Sequence, residues 1–142
     1  MGKELPHGTR LGPYAIERLL VRSGLSDIYV ARQVVPTERP CRLTLFHADP
    51  ESESWQRFTK EVAQLKALEH PGIAEVREVA VTDNGTPYLV HFLPDGEDLS
   101  SRLRRSGALT TREALSLARQ AAAVLHAAHS VDLLHRDLQP DN

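Results

Sequence analysis

The sequence predicts an α+β domain in which a five-stranded antiparallel sheet and one helix precede two further helices. Short β-type runs come first, one amphipathic stretch with helical spacing follows them, and two more β-type runs come next. After Pro94-Asp95-Gly96 the pattern becomes helical, and this turn-forming tripeptide is predicted to be a linker between the strands and the later helices. The chain is therefore expected to have a sheet-rich part followed by a helical part.

The five strands are predicted from runs of apolar and β-branched residues that are bounded by turn residues. They cover Tyr14 to Val21, Ile28 to Arg32, Arg42 to His47, Val76 to Thr82 and Pro87 to Leu93. Between the last two runs, Asn84-Gly85 suits a hairpin turn that needs a positive φ. The first three strands follow one another closely, as in an antiparallel meander.

One amphipathic helix is predicted between the third and fourth strands. Its apolar residues lie three and four positions apart, which places them on one side of a helix. They are Trp55, Phe58, Val62, Leu65 and Leu68. Ser52 and Ser54 are candidate caps at its start, and His70-Pro71-Gly72 ends it.

Two helices are predicted after the linker. A short one runs from Leu99 to about Arg105 and ends at Gly107, and a long one runs from Thr111 to about Val131. The long helix opens with the capping-box pattern of Thr110 and Glu113. Its apolar residues lie on nearly all sides, which implies burial nearly all round. The neighbours that such burial needs are largely lacking from this sequence.

Composition excludes several classes of function. The chain has 142 residues and a formal net charge of −2 with acids and bases mixed, so it has no electrostatic signature for nucleic acid or an anionic membrane. Cys41 is the only cysteine, which excludes an internal disulfide framework. No signal peptide or apolar run of membrane-spanning length is seen. A cytoplasmic protein is expected.

A chemical motif lies at the end of the sequence, where residues 135–142 read His-Arg-Asp-Leu-Gln-Pro-Asp-Asn. Asp137 can accept a proton from a hydroxyl group, and the side chain of Asn142 can coordinate a metal ion, the two functions that phosphoryl transfer needs. This spacing resembles the catalytic loop of protein kinases. The alternative is that Asp137 only makes a hydrogen bond within a turn.

Further motifs in the expected order extend the resemblance to bacterial-type serine/threonine protein kinases from Leu11 onward. They are Leu11-Gly12-Pro13-Tyr14, Tyr29-Val30-Ala31-Arg32, Arg57 to Val62, His70-Pro71-Gly72-Ile73, Tyr88-Leu89-Val90, and His129 with Leu134 to Asp137. The resemblance implies a protein kinase-like fold with a complete small lobe over residues 12–93. A flexible segment, 1–11, would precede it, and the hinge and an incomplete large lobe, 94–142, would follow.

The resemblance also implies an activity, which is ATP-dependent phosphoryl transfer to serine or threonine of a protein partner, with ATP and magnesium as cofactors. Asp137 would be the catalytic base, Asn142 would bind magnesium, and Glu61 would pair with the lysine that grips the phosphates. The nucleotide would contact Leu20, Ile28, Arg42, Thr44, Phe92, Pro94 and Asp98. Two alternatives stay open: Glu61 as an exposed acid paired with Arg57, and Asp98 as a plain helix cap.

The expected nucleotide site departs from the family pattern at several positions. Thr44 stands where the phosphate-gripping lysine is expected, and Arg42 replaces a small residue that rests against adenine. Residues 21–28 lack the three motif glycines that let backbone amides come close to phosphate. Pro94 has no N–H to donate to the base, and Gln139 replaces a lysine that steadies the transferring phosphate.

Three hypotheses follow. The departures, and a sequence that ends before the Asp-Phe-Gly motif and the activation loop, predict a degenerate or truncated kinase domain that serves as a pseudokinase-like signalling or interaction module. The alternative is an active serine/threonine kinase seen only in part, in which Arg42 or Arg22 replaces the missing lysine. The third is a gene fragment without a stable fold, because its long apolar helix lacks a packing partner.

Overall fold

The structure, a computed structural model, describes residues 4–140. In chain order its elements are β1 (Arg10–Leu11), β2 (Tyr14–Arg22), β3 (Ser26–Gln33), β4 (Arg39–Phe46), α1 (Glu53–Ala67), β5 (Val76–Val81), β6 (Pro87–Phe92), α2 (Leu99–Ser106) and α3 (Thr111–His129). The five predicted strands and three predicted helices are confirmed. Most boundaries agree within one to three residues, because turn residues and caps mark the ends of each element.

All neighbouring strands pair antiparallel, in the order β1-β2-β3-β4-β6-β5. The two-residue β1 is an addition to the five predicted strands, and it lies in the segment that sequence analysis assigned to a flexible lead-in. Gly12, with φ of 55°, turns the chain between β1 and β2. The amide of Gly8 donates to the carbonyl of Ile16 at 2.8 Å, and the amide of Ile16 donates to the carbonyl of Thr9 at 2.9 Å.

The main apolar core lies on one face of this sheet, because alternate residues of each strand point to the same side. Its members are Tyr14, Ile16, Tyr29, Ala31, Cys41, Leu43, Tyr88, Val90 and Phe92. Leu5 and Leu11, which precede β2, pack against this cluster. The N-terminal residues that the structure describes thus contribute to the core.

A partly buried pair of hydrogen bonds to Glu78 links β5 to its neighbour β6 and to β2, which is not its neighbour in the sheet. Tyr14 on β2 donates its hydroxyl to Glu78 Oε2 on β5 at 2.6 Å, and Tyr88 on β6 donates to Glu78 Oε1 at 2.9 Å. Burial, followed by the hydrogen bond to Glu78, raises the pKa of Tyr88 to about 12 and raises the pKa of Tyr14 further above its ordinary value. Both hydroxyls therefore keep their protons at neutral pH and act as donors to one carboxylate.

Helix α1 is anchored by aromatic rings. The Phe46 ring, at the end of β4, lies 5.3 Å from the Trp55 ring and 5.1 Å from the Phe58 ring, centroid to centroid. Trp55 and Val62 are the buried residues of the helix. The hydroxyl of Ser52 accepts a hydrogen bond from the Trp55 amide at 3.3 Å, as expected of a cap.

The chain forms two compact units. One contains the described residues up to Lys66 together with Ala74–Leu93, and the other contains Ala67–Ile73 together with the described residues from Pro94 onward. In the second unit, a Cβ added to Gly72 would lie 2.3 Å from Val124 Cγ2. A side chain at position 72 would therefore require Val124 or this turn to shift.

The helices of the second unit begin as their caps predict, but α3 is less buried than its apolar pattern implies. Thr110 and Glu113 form the complete capping box, in which each side chain binds the other residue's backbone N–H. No side chain of α3 is fully buried, and Leu115 and Leu117 are 67% and 41% exposed. Burial nearly all round is therefore not found among the described residues, where α3 has few of the neighbours that its apolar surface needs, as was also expected from the sequence. None of the described helices is long and apolar enough to cross a membrane.

Replacing Glu78 by glutamine is expected to lower the free energy of unfolding by about 1–3 kcal/mol, because an amide nitrogen cannot accept and one buried tyrosine hydroxyl loses its acceptor. Urea unfolding followed by tryptophan fluorescence measures the loss. Glu75→Gln is the matched control, since it neutralises an exposed pair with Arg39 and should cost less than about 1 kcal/mol. Equal losses in the two variants would contradict a partly buried pair of hydrogen bonds at Glu78.

Candidate functional site

Strand β4 places Arg42 and Thr44 on the sheet face opposite the main core. The intervening Leu43, like Cys41, is fully buried in the core, and successive side chains of a strand point to opposite faces. Thr44 pairs with Ile28 on β3, and Arg42 pairs with His91 on β6, so these side chains share that face. We call the surface formed by Ile28, Arg42, Thr44 and His91 the β4 face.

Thr44, which the sequence predicts at the position of a phosphate-binding lysine, lacks the chemistry of that residue. It is only 8% exposed, and its short neutral side chain cannot neutralise a phosphate. Glu61, the predicted partner of that lysine, lies in α1 and is partly buried. If the predicted assignment holds, a hydroxyl group lies where the family pattern calls for a long cation.

Arg42 places on the β4 face a guanidinium group whose Nε–H is unsatisfied. Its Nε is buried and has no hydrogen-bond acceptor among the residues that the structure describes. Burial, and then the charge of Arg42, lower the pKa of its cross-strand neighbour His91 to about 4. His91 is therefore neutral at physiological pH, and Arg42 is the only charged member of the β4 face.

The hairpin between β2 and β3 stands where kinases have their phosphate loop, and its amides are already in use. The hydroxyl of Ser23 accepts hydrogen bonds from the amide of Leu25 at 3.2 Å and from the amide of Ser26 at 3.0 Å. The Ser23 amide and hydroxyl both donate to the carbonyl of Ser26, at 2.9 and 3.0 Å. Ser23 thus occupies two donors that a glycine loop would offer to phosphate oxygens.

A charged pair closes the base of this hairpin. Arg22 Nε lies 3.0 Å from Asp27 Oδ1, and Arg22 NH2 lies 3.2 Å from Asp27 Oδ2. Asp27 is only 5% exposed, and His47 Nε2 lies 3.6 Å from its Oδ2. Sequence reasoning missed Asp27, although opposite charges on either side of a four-residue turn predict such a cross-strand pair.

The predicted nucleotide-binding residues outside β4 differ in how far they are buried and in which unit they lie. Ile28 is partly buried, and Leu20 on β2 is 41% exposed. Phe92 packs in the core with the guanidinium carbon of Arg39 3.7 Å from its ring centroid, and its amide donates to a carbonyl in the same unit. Pro94, in the second unit, has no N–H to offer.

Asp98 is a helix cap. Its Oδ1 accepts from the Ser101 amide at 2.7 Å, and its Oδ2 accepts from the Ser101 hydroxyl at 2.9 Å. These bonds lower the pKa of the Asp98 carboxyl. The geometry is that of the plain N-cap alternative, and a role toward a ribose stays a prediction.

The residues after α3 form the predicted catalytic loop. Leu133 anchors it with a 9% exposed side chain and an amide that donates to the carbonyl of Ala128 at 3.0 Å. Asp137 is exposed, and the side-chain amide of Gln139 donates to its carboxylate. Asn142, the predicted magnesium ligand, lies outside the described residues. The assigned roles of Asp137 and Asn142 remain predictions.

Comparison with known proteins gives a consistent result. A family model described as the protein kinase domain matches residues 31–142. Serine/threonine-protein kinase PknE of Mycobacterium bovis is 34% identical over 143 residues, which is 98% of this chain and 25% of PknE. Serine/threonine-protein kinase PknA of Mycobacterium tuberculosis is 35% identical over 148 residues, which is 94% of this chain and 32% of PknA.

Solved structures show the same fold. The crystal structure of the M. tuberculosis PknI kinase domain superposes with a TM-score of 0.75 at 28% identity, and the match covers 98% of this chain and 56% of that one. The sheet with α1 is the small lobe of this fold, and α2 and α3 are the first helices of its large lobe. The chain spans only 25% and 32% of the lengths of the curated relatives above.

Replacing Ser23 by alanine is expected to speed hydrogen exchange at the amides of Leu25 and Ser26, because both lose their acceptor. Solvent-exchange NMR on the ¹⁵N-labelled protein measures both rates. Ser26→Ala is the matched control, since Ser26 contributes backbone groups to the turn and should leave the Leu25 rate unchanged. Unchanged rates in the Ser23 variant would contradict the self-capped turn.

Proposed function

Because this chain belongs to the protein kinase family, we propose that it is a degenerate serine/threonine kinase domain, a pseudokinase-like signalling module that acts by binding another protein. Residues 12–93 would be its small lobe, and residues 94–142 would be its hinge and the start of its large lobe. Kinases of this family use ATP and magnesium. The proposal is that this domain keeps the kinase fold but no longer binds ATP in the family manner.

The observation that carries the proposal is that Thr44, which the sequence predicts at the position of the kinase lysine, is buried on β4. A kinase lysine at this point supplies a full positive charge to the nucleotide phosphates. A threonine hydroxyl supplies a neutral hydrogen bond, which is much weaker toward a polyanion than a charge-assisted one. A magnesium nucleotide held in the family manner does not fit this set of residues.

The β2–β3 hairpin supports the same conclusion. Its Leu25 and Ser26 amides donate to Ser23, so phosphate oxygens would have to displace an internal acceptor. The carboxylate of Asp27 adds a negative charge at the base of the hairpin, and Arg22 is engaged in balancing it. Phosphate binding at this hairpin would therefore have to displace the acceptor of two amides and compete with Asp27 for Arg22.

An active kinase with a relocated cation is the second candidate function. Arg22 is a poor source of that cation, because its guanidinium makes two hydrogen bonds to Asp27. Arg42 is the better source, and the observation that favours it is its buried Nε without an acceptor. In that case Asp137 would serve as the base and Asn142 as the magnesium ligand.

Thermal unfolding with Mg·ATP, compared with the same concentration of Mg·tripolyphosphate, tests the proposal. A nucleotide present at 100 times its dissociation constant adds about 2.7 kcal/mol of stability. We expect Mg·ATP to raise Tm no more than Mg·tripolyphosphate does, because nothing on the β4 face grips a nucleotide specifically. A larger rise with Mg·ATP would contradict the proposal.

Two variants then identify the source of any nucleotide-specific rise. If the rise disappears in Arg42→Met and persists in Arg22→Met, the second candidate holds, with Arg42 as the relocated cation. A rise that persists in both variants would contradict the relocated-cation hypothesis in either form. Because Arg22→Met also leaves the buried Asp27 without its arginine, the rise is measured in each variant relative to that variant's own Tm without nucleotide.

A further inference from the structure

We propose that Arg42 makes the β4 face a binding site for a small oxyanion, a carboxylate or phosphate group, at the place where relatives hold the nucleotide base. This inference rests on the proposed function, because it states what the β4 face binds when it does not grip ATP. A kinase lysine also binds phosphate oxygens, but from the position of Thr44, whereas this inference assigns an oxyanion to Arg42, at the place of the base.

The first argument is the unsatisfied donor. Arg42 Nε–H is buried and has no acceptor among residues 4–140. A buried polar group without a partner is costly, and the cost is greater for a charged one. An acceptor with a negative charge would remove this cost, and an oxyanion matches the planar donor fork of arginine.

The second argument is that the acids of the sheet have other partners. The strands contain three acids, and Glu17 accepts from Arg32 Nε at 2.9 Å while Asp27 is held by Arg22. Glu78 accepts from two tyrosine hydroxyls. No carboxylate of the strands is thus available to Arg42.

The third argument is the surroundings of the guanidinium. Its cross-strand neighbours are the apolar Val30 on β3 and His91 on β6. Because burial keeps the pKa of His91 near 4, the ring is neutral and can donate or accept a hydrogen bond without adding charge. In such a partly buried setting, charge-assisted hydrogen bonds are stronger than in water.

The fourth argument is size. The family base rests against a small side chain, and Arg42 extends a long one from the same position. A flat base would overlap it, whereas an oxyanion only has to reach its N–H groups. Thr44 lies two residues along the same face and has a hydroxyl that can donate to a second oxygen.

The test follows the arginine Nε–H signals by ¹H–¹⁵N NMR while inorganic phosphate, or acetate, is added at constant ionic strength. We expect the Arg42 signal to shift saturably with phosphate, acetate or both, and the two titrations identify the preferred oxyanion. The Arg39 signal is the internal control, because Arg39 pairs with Glu75 and lies over the ring of Phe92. It should not shift.

Two results would overturn the inference. One is an Arg42 signal that neither anion moves, and the other is a shift that sodium chloride reproduces in full. The Thr44 amide provides a second reading, since its response to phosphate should be lost in Arg42→Met and kept in Arg39→Met. The decisive titration uses the unaltered protein, so it does not depend on whether the variants fold.

Failure of this inference is distinguishable from failure of the proposed function. A Tm rise specific to Mg·ATP would contradict the degenerate-kinase proposal, whatever phosphate alone does. An Arg42 signal that does not respond to phosphate or acetate, in a protein that Mg·ATP also fails to stabilise, would overturn only the oxyanion site. The two experiments use the same protein and buffer.

Discussion

The alternation of side chains along β4 is the constraint on which the site depends. Cys41 and Leu43 are fully buried in the main core, so the backbone has to direct Arg42 and Thr44 to the opposite face. A shift of one residue would bury the arginine in the core and expose the leucine. The packing of the sheet therefore determines which side chains form the β4 face, and the kinase fold is kept even though the chemistry of that face has changed.

Most charged side chains of the sheet that are buried or partly buried have a partner of their own. Arg22 balances the buried Asp27, and two tyrosine hydroxyls donate to the partly buried Glu78, so both acids have partners. Three buried side-chain atoms of the described chain have no hydrogen-bond partner: Gln33 Oε1, Arg42 Nε and Arg102 NH1. Buried unsatisfied polar groups call for an explanation, and the proposals concern Arg42 because it is the one of the three that lies on the β4 face.

Much of the fold could be predicted from the sequence, because its signals are local. Alternating apolar residues identified the five longer strands, and the Thr110–Glu113 capping box identified the start of α3. The two-residue β1 is too short to show periodicity. The hydrogen bond between Tyr14 and Glu78 joins residues 64 positions apart and depends on how the sheet curves. The sequence could identify which residues differ from the family pattern at the candidate site. It could not show that the Ser23 hydroxyl binds the amides of Leu25 and Ser26, because that depends on the conformation of the turn.

Calorimetric titration of Mg·ATP into the unaltered protein and the Arg42→Ala/Thr44→Lys double variant tests the central claim most directly. The claim is that Arg42 and Thr44 are the main cause of the lost grip on the nucleotide. It predicts that the double variant binds Mg·ATP more tightly than the unaltered protein does, with circular dichroism confirming that both are folded. Binding of equal strength by both proteins, or no binding by a folded double variant, would contradict it.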